Sequence, residues 1–128
     1  MRDTDAMIAG MAPVLDAGVY HFCTGDAALL PEALASLRED EGLSLILSDA
    51  VARAHGMPCD LPMRRITLTV HSALDGVGLT AAVATALAQA GIACNMVAGH
   101  YHDHAFVPEA DAARALALLR TLTEERRA

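Results

Sequence analysis

The sequence predicts an α+β fold of the ferredoxin-like βαββαβ type, made of two halves packed together. Residues 65–70 alternate and are rich in β-branched types, as a half-buried strand requires, and residues 79–90 carry an unbroken apolar stripe at helical spacing. A strand, a turn, a second strand and a closing helix come after them, so the second half reads β-α-β-β-α.

Taken in order, Met7, Ile8, Met11, Val14 and Leu15 are spaced close to a helical repeat, and Pro13 sets the end of any such helix near Met11. Val19, Tyr20, Phe22 and Thr24 favour a strand over 19–24, closed by Gly25 and Asp26. Leu30, Ala33, Leu34 and Leu37 repeat at helical spacing around Pro31, which suits a first turn, so a helix is expected over 31–37. The apolar run 43–48 lies between Gly42 and Asp49 and has the length of a strand. Asp49 is expected to cap a helix over 50–55 that Gly56 ends.

Two prolines within residues 57–62 mark the boundary between an N-terminal half, 1–60, and a C-terminal half, 61–128. Beyond the strand at 65–70, the loop 71–78 opens a helix with Leu79, Ala82, Val83, Ala86, Leu87 and Ala90 on one face. Gly91 stops that helix, 92–98 reads as a strand, Gly99 and His100 as a turn, and 103–107 as the returning strand that Pro108 ends. A last helix over 110–125 turns Ala112, Leu116, Leu119 and Leu122 inward. The fourth strand of the βαββαβ order is missing after residue 109, a gap that a strand from the first half can fill, with both halves contributing to one sheet or to two packed sheets.

Composition narrows the function classes. The 128 residues are 54% hydrophobic and carry nine basic against sixteen acidic groups, a net charge of -7. That hydrophobicity argues against disorder, and the acidic balance, with every basic residue an Arg and no dense patch of them, argues against a nucleic-acid partner. Aromatics make up 3% of the chain and Trp is absent, so platforms for stacking bases are nearly lacking. Cys23, Cys59 and Cys94 are far apart without a C-x-x-C pair, which points to reduced thiols and a cytoplasmic location. No secretion signal is visible. The most lipid-like stretch, 77–98, is interrupted by Thr80, Thr85, Gln89, Gly91 and Asn95, so no membrane partner is expected.

The runs Ile66-Thr67-Leu68-Thr69-Val70-His71-Ser72, Leu74, Val77-Gly78-Leu79-Thr80-Ala81-Ala82-Val83, Gly91-Ile92, Asn95, Tyr101-His102-Asp103-His104 and Phe106-Val107-Pro108 resemble a family of small bacterial ACT-domain proteins. These are stand-alone chains of two ACT-like halves, similar to the regulatory region of aspartate kinase. Arg38-Glu39-Asp40-Glu41-Gly42-Leu43-Ser44-Leu45 resembles the family's first-half signature, so the resemblance spans most of residues 7–119. It implies an ACT-like βαββαβ fold and binding of a small effector, usually an amino acid, with no catalysis and no cofactor. Carried over by position, the effector site would use Ser72, Leu74, Asp75, Gly76, Val77 and Gly78, with Asn95 and Met96 at the facing start of the next strand. The chain departs from the family's usual aromatic after Gly99, where it has His100.

The residues themselves allow that chemistry. A helix N-terminus suits a carboxylate, so the amides of Val77 and Gly78 would hold one while Asp75 pairs with an α-ammonium group. The same residues also make a plain S-x-x-D capping box, with glycines easing a tight turn. His100, His102 and His104 alternate and would share one strand face near Asp103 and His71, as donors for zinc or nickel. The competing reading is a hairpin whose rings titrate at the surface or bond to the backbone. Cys94 reads as a buried thiol with no oxyanion-hole motif beside it, and Glu39-Asp40-Glu41 as a solvated acidic turn. Asn95, an amide within an apolar strand, needs a partner.

Together these observations point to a cytoplasmic, non-enzymatic regulatory protein that binds a small molecule, an amino acid, and forms a homodimer through edge strands. Two alternatives compete with it. One is a metal-binding protein or enzyme built on His100, His102 and His104; the other is an interaction module without a ligand.

Overall fold

Met7 and Ile8 are 0% and 1% exposed, because the short helix that carries them, α1 (Thr4–Gly10), packs among residues from the far end of the sequence. The computed structural model, which describes residues 4–70 and 78–127, divides into two compact units. One is Ala17–Met63; the other is made of the described residues on either side of it.

In the flanking unit, the start of β1 (Pro13–Gly25) lies beside β4 (Met63–Leu68), with β6 (Asp103–Pro108) and β5 (Asn95–Ala98) next across the sheet. Pro13 stands at the first position of its strand, where its missing N–H breaks no ladder bond. The strand that the second half lacks is thus supplied by the N-terminal segment, whose Val14 and Leu15 lie in a strand and not in the helical repeat their spacing suggests. Side chains fasten it. Arg64 donates twice to the Asp16 carbonyl, at 3.2 and 2.8 Å, Arg65 donates twice to the Asp16 carboxylate, at 3.2 and 2.8 Å, and Thr69 donates to the Ala12 carbonyl at 2.8 Å.

Helices α3 (Leu79–Gln89) and α4 (Ala112–Arg127) belong to the same unit, with a 3-10 turn at Glu109–Asp111 leading into α4. Leu79, Val83 and Leu87 of α3 join Met7, Ile8, Met11, Ile66, Leu68, Val107 and Leu119 in one apolar core. The buried line on α4 is Ala112, Ala115, Leu119 and Thr123, with Leu116 and Leu122 half-buried beside it. This face is rotated from the predicted one, and Thr123, buried at its end, donates to the Met11 carbonyl at 3.2 Å. Arg127 likewise donates to the Ala9 carbonyl at 2.9 Å.

Helix α3 ends as the glycine predicts. Gly91 has φ +74 and donates to Ala88 at 2.9 Å, while Ile92 donates to Leu87 at 2.9 Å, the paired bonds of a Schellman motif. Ile92 is therefore spent on closing the helix, and β5 starts at Asn95 rather than at residue 92.

In the central unit, the later residues of β1 pair antiparallel with β3 (Gly42–Ser48), which pairs in turn with β2 (Ala35–Glu39). The expected helix over 31–37 is absent. A 3-10 turn covers Ala27–Glu32, capped by Asp26 on the Ala28 amide at 2.8 Å, and Ala33 is already extended. Leu34 donates to the Ile46 carbonyl at 2.9 Å, and the chain continues as an edge strand that leaves Leu37 66% exposed. Sheet pairing has overridden a helical spacing that no apolar surface rewarded. Asp40 and Glu41 form the exposed tip of the β2–β3 hairpin, where the Ser44 hydroxyl donates to Glu39. Helix α2 (Asp49–Ala54) is capped by Ser48, whose Oγ accepts from the Val51 amide at 3.3 Å, so Asp49 is not the cap but the first helical residue. Leu29, Leu45, Leu47 and Ala52 form the separate core of this unit.

Candidate functional site

Of the predicted effector residues, Ser72, Leu74, Asp75, Gly76 and Val77 lie outside the described residues, whereas Gly78, Asn95 and Met96 lie within the flanking unit. Gly78 precedes α3 with φ +107 and ψ -24, a left-handed conformation that side-chain-bearing residues rarely adopt, and it brings no capping side chain to the helix. Asn95 opens β5 opposite Phe106 and is exposed, so water meets its amide and no buried partner is required. Met96, opposite Ala105, is half-buried against the apolar core.

The three histidines do not share a strand face. Residues 99–102 form the β5–β6 turn, closed by the Gly99 amide on the His102 carbonyl at 2.9 Å, so only His104 lies in a strand. The His100 ring meets Tyr101 edge-on, with centroids 5.0 Å apart, and His104 Nδ1 shares a hydrogen bond with the Thr67 hydroxyl at 3.0 Å. Burial, reinforced by the charges of Arg65 and His102, holds the His104 pKa below its usual value. His102 Nδ1 is buried without a hydrogen-bond partner. Burial also pushes the Cys94 thiol up, away from the thiolate that a nucleophile needs.

Among the described residues, the metal-type donors that converge are His21, Asp49 and Cys59, all in the central unit. Strand alternation places His21 inward, 2% exposed, while its neighbour Phe22 is 47% exposed. Because Ser48 takes the capping role, the Asp49 carboxylate is free to accept from His21 Nε2 at 2.7 Å and from Arg53 Nε at 3.0 Å. These hydrogen bonds, that from His21 foremost, hold the Asp49 carboxyl below the usual range. The half-buried Cys59 thiol donates to the Met57 carbonyl at 3.3 Å. Burial and the nearby Cys59 together raise the Cys23 thiol.

Comparison with known proteins matches the ACT domain twice, at residues 1–64 and at residues 61–121. The chain belongs to the ACT-domain family. A crystal structure of a Vibrio cholerae protein of unknown function, a possible transport protein, is 43% identical and superposes with a TM-score of 0.83, covering 93% of this chain and 94% of that one. An Agrobacterium tumefaciens protein is 20% identical at a TM-score of 0.66, covering 88% and 89% of the two chains. The regulatory subunit of aspartate kinase from Thermus flavus, 12% identical with a TM-score of 0.57 over 88% and 96%, shares the ACT fold. No curated protein matches the chain. ACT domains are regulatory and bind small molecules, and no described helix is long and apolar enough to cross a membrane.

Sequence reasoning does not bring His21, Asp49 and Cys59 together. It gives Asp49 a capping role that Ser48 fills, and it leaves Cys59 alone between prolines. The available signal is His21 itself, a polar ring at an inward position of an apolar strand, which demands a partner.

Proposed function

We propose that this protein is a non-enzymatic regulator composed of two ACT domains, residues 1–60 and 61–128, that binds an amino acid in the cytoplasm as a homodimer. The effector site comprises Ser72, Leu74, Asp75, Gly76, Val77 and Gly78 with Asn95 and Met96. Membership of the ACT-domain family carries this reading, and the glycine start of α3 at Gly78 supports it locally. The amides at the start of a helix suit a ligand carboxylate, while Asp75 supplies a charge for the ammonium group.

Thermal denaturation against each of the twenty amino acids tests the proposal. A ligand that binds only the folded state adds about 2.7 kcal/mol at 100 times its dissociation constant. The expected result is a rise in midpoint with one amino acid or a small related set, lost in Asp75→Ala. A flat panel with a folded protein overturns amino-acid binding. Light scattering on a size-exclusion column tests the dimer, with twice the chain mass expected.

A further inference from the structure

We propose that His21, Asp49 and Cys59 form a binding site for a divalent transition metal of the zinc class, with solvent as the fourth ligand. One ring nitrogen of His21, one carboxylate oxygen of Asp49 and Cys59 Sγ all lie within 4.8 Å of one another. They arrive from three separate places: the inward face of β1, the first residue of α2 and the proline-flanked segment after it. Nitrogen, oxygen and thiolate sulfur together are a donor set that zinc accepts, and three protein ligands with one open position form a tetrahedral site.

The second observation is the His21 ring. It is 2% exposed, and its Nδ1 has no hydrogen-bond partner while Nε2 is engaged with Asp49. Imidazole is the commonest protein ligand of a metal ion, and this ring is held buried beside the other two donors. A carboxylate, a thiolate and an imidazole, the forms in which these side-chain types ligate, together balance a divalent ion.

Ligand bonds of about 2.0–2.3 Å put tetrahedral donors roughly 3.5 Å apart, so the 2.7 Å hydrogen bond between His21 and Asp49 opens to admit the ion, and no donor pair, all within 4.8 Å, is far from the required spacing. Cys59 lies outside regular secondary structure, and the Asp49 side chain is 38% exposed, which leaves the ion a way in from solvent. Arg53, itself 65% exposed, contacts both Asp49 oxygens at 3.0 Å and can hold the oxygen that the metal does not take, orienting the carboxylate from outside. The inference does not rest on the proposed amino-acid site, whose described residues Gly78, Asn95 and Met96 belong to the flanking unit.

Cobalt(II) titration of the reduced, chelator-stripped full chain tests it. One equivalent is expected to bind with the near-ultraviolet thiolate-to-cobalt band and intense visible bands of a tetrahedral ion, all removed by zinc. Cys59→Ser should abolish the thiolate band, Asp49→Asn should weaken cobalt at least about tenfold, and Cys94→Ser should change neither. Far-ultraviolet circular dichroism confirms that each variant is folded; Asp49→Asn keeps the decision open if Cys59→Ser is not. No thiolate band in the folded parent chain, a band that survives Cys59→Ser, or undiminished affinity in Asp49→Asn overturns the site.

Discussion

A Cβ built on Gly78 would fall 2.6 Å from Thr4 Oγ1 and 2.9 Å from Thr4 Cγ2, so the first residue of α1 closes over the residue that starts α3. Gly78 also holds φ +107. Gly78→Ala therefore meets two independent penalties, a strained backbone and a contact with Thr4. The expected loss is about 1–2 kcal/mol from the backbone alone, read as a lower urea midpoint at unchanged slope. Adding Thr4→Ala should recover the contact part and leave the backbone part, so the two changes must couple in a double-mutant cycle. Additive effects would show that the close approach has no energetic weight.

Asp16 and Arg65 fix the N-terminal strand to β4 through a two-pronged ion pair whose side chains are only 27% and 24% exposed. At that exposure the pair is worth more than a surface bridge and less than a fully buried one. Arg65→Met should lower stability by about 1–2 kcal/mol. The exposed Arg120 serves as the comparison, and Arg120→Met should fall within about 0.5 kcal/mol of the parent. Equal thermal midpoints for the two variants would remove Asp16–Arg65 from the account of how the flanking unit is held together.

His104 supplies a pH dependence whose sign comes from its environment. Burial first, then Arg65 and His102, keep its folded pKa below the reference value of 6.5. Between that reference and the lower folded value, the unfolded chain takes up a proton that the folded chain does not. Its contribution is therefore fully present above about pH 6.5 and is lost as pH falls through the folded pKa. Unfolding measured from pH 7.5 down to pH 5 should show a decline that is shallower in His104→Gln. An identical slope in both proteins would assign the acid sensitivity to other groups.

Hydrophobic spacing is legible in this sequence where burial backs it. Residues 79–90 and 103–107 carry apolar faces that become the core of the flanking unit, and both can be read directly. Residues 31–37 cannot, because their helical spacing coincides with an edge strand that leaves Leu34 42% and Leu37 66% exposed. Periodicity reports a buried face, and here there is none to report. The N-terminal strand is expected only over 19–24, since Val14, Leu15 and Asp16 gain their strand pairing from β4, about fifty residues away in the chain. The site in the central unit is illegible for a similar reason: His21 and Asp49 are 28 residues apart, and only the β1–β3 register makes them neighbours. The histidine trio fails because a turn occupies 99–102, where a shared face requires an unbroken strand.

Ser48 links helix stability to the metal site without offering it a ligand. Its hydroxyl oxygen accepts from the Val51 amide at 3.3 Å, and in doing so sets where α2 begins and hence where Asp49 points. Ser48→Ala should cost about 1 kcal/mol, the usual loss for an N-cap, and should also lower cobalt affinity, because an untethered first turn holds the Asp49 carboxylate less firmly against His21. Ser48→Thr keeps the acceptor and should preserve both properties to within a few tenths of a kcal/mol. Should Ser48→Ala lower stability and leave cobalt affinity untouched, the cap matters to α2 alone, and Asp49 is positioned instead by His21 and Arg53.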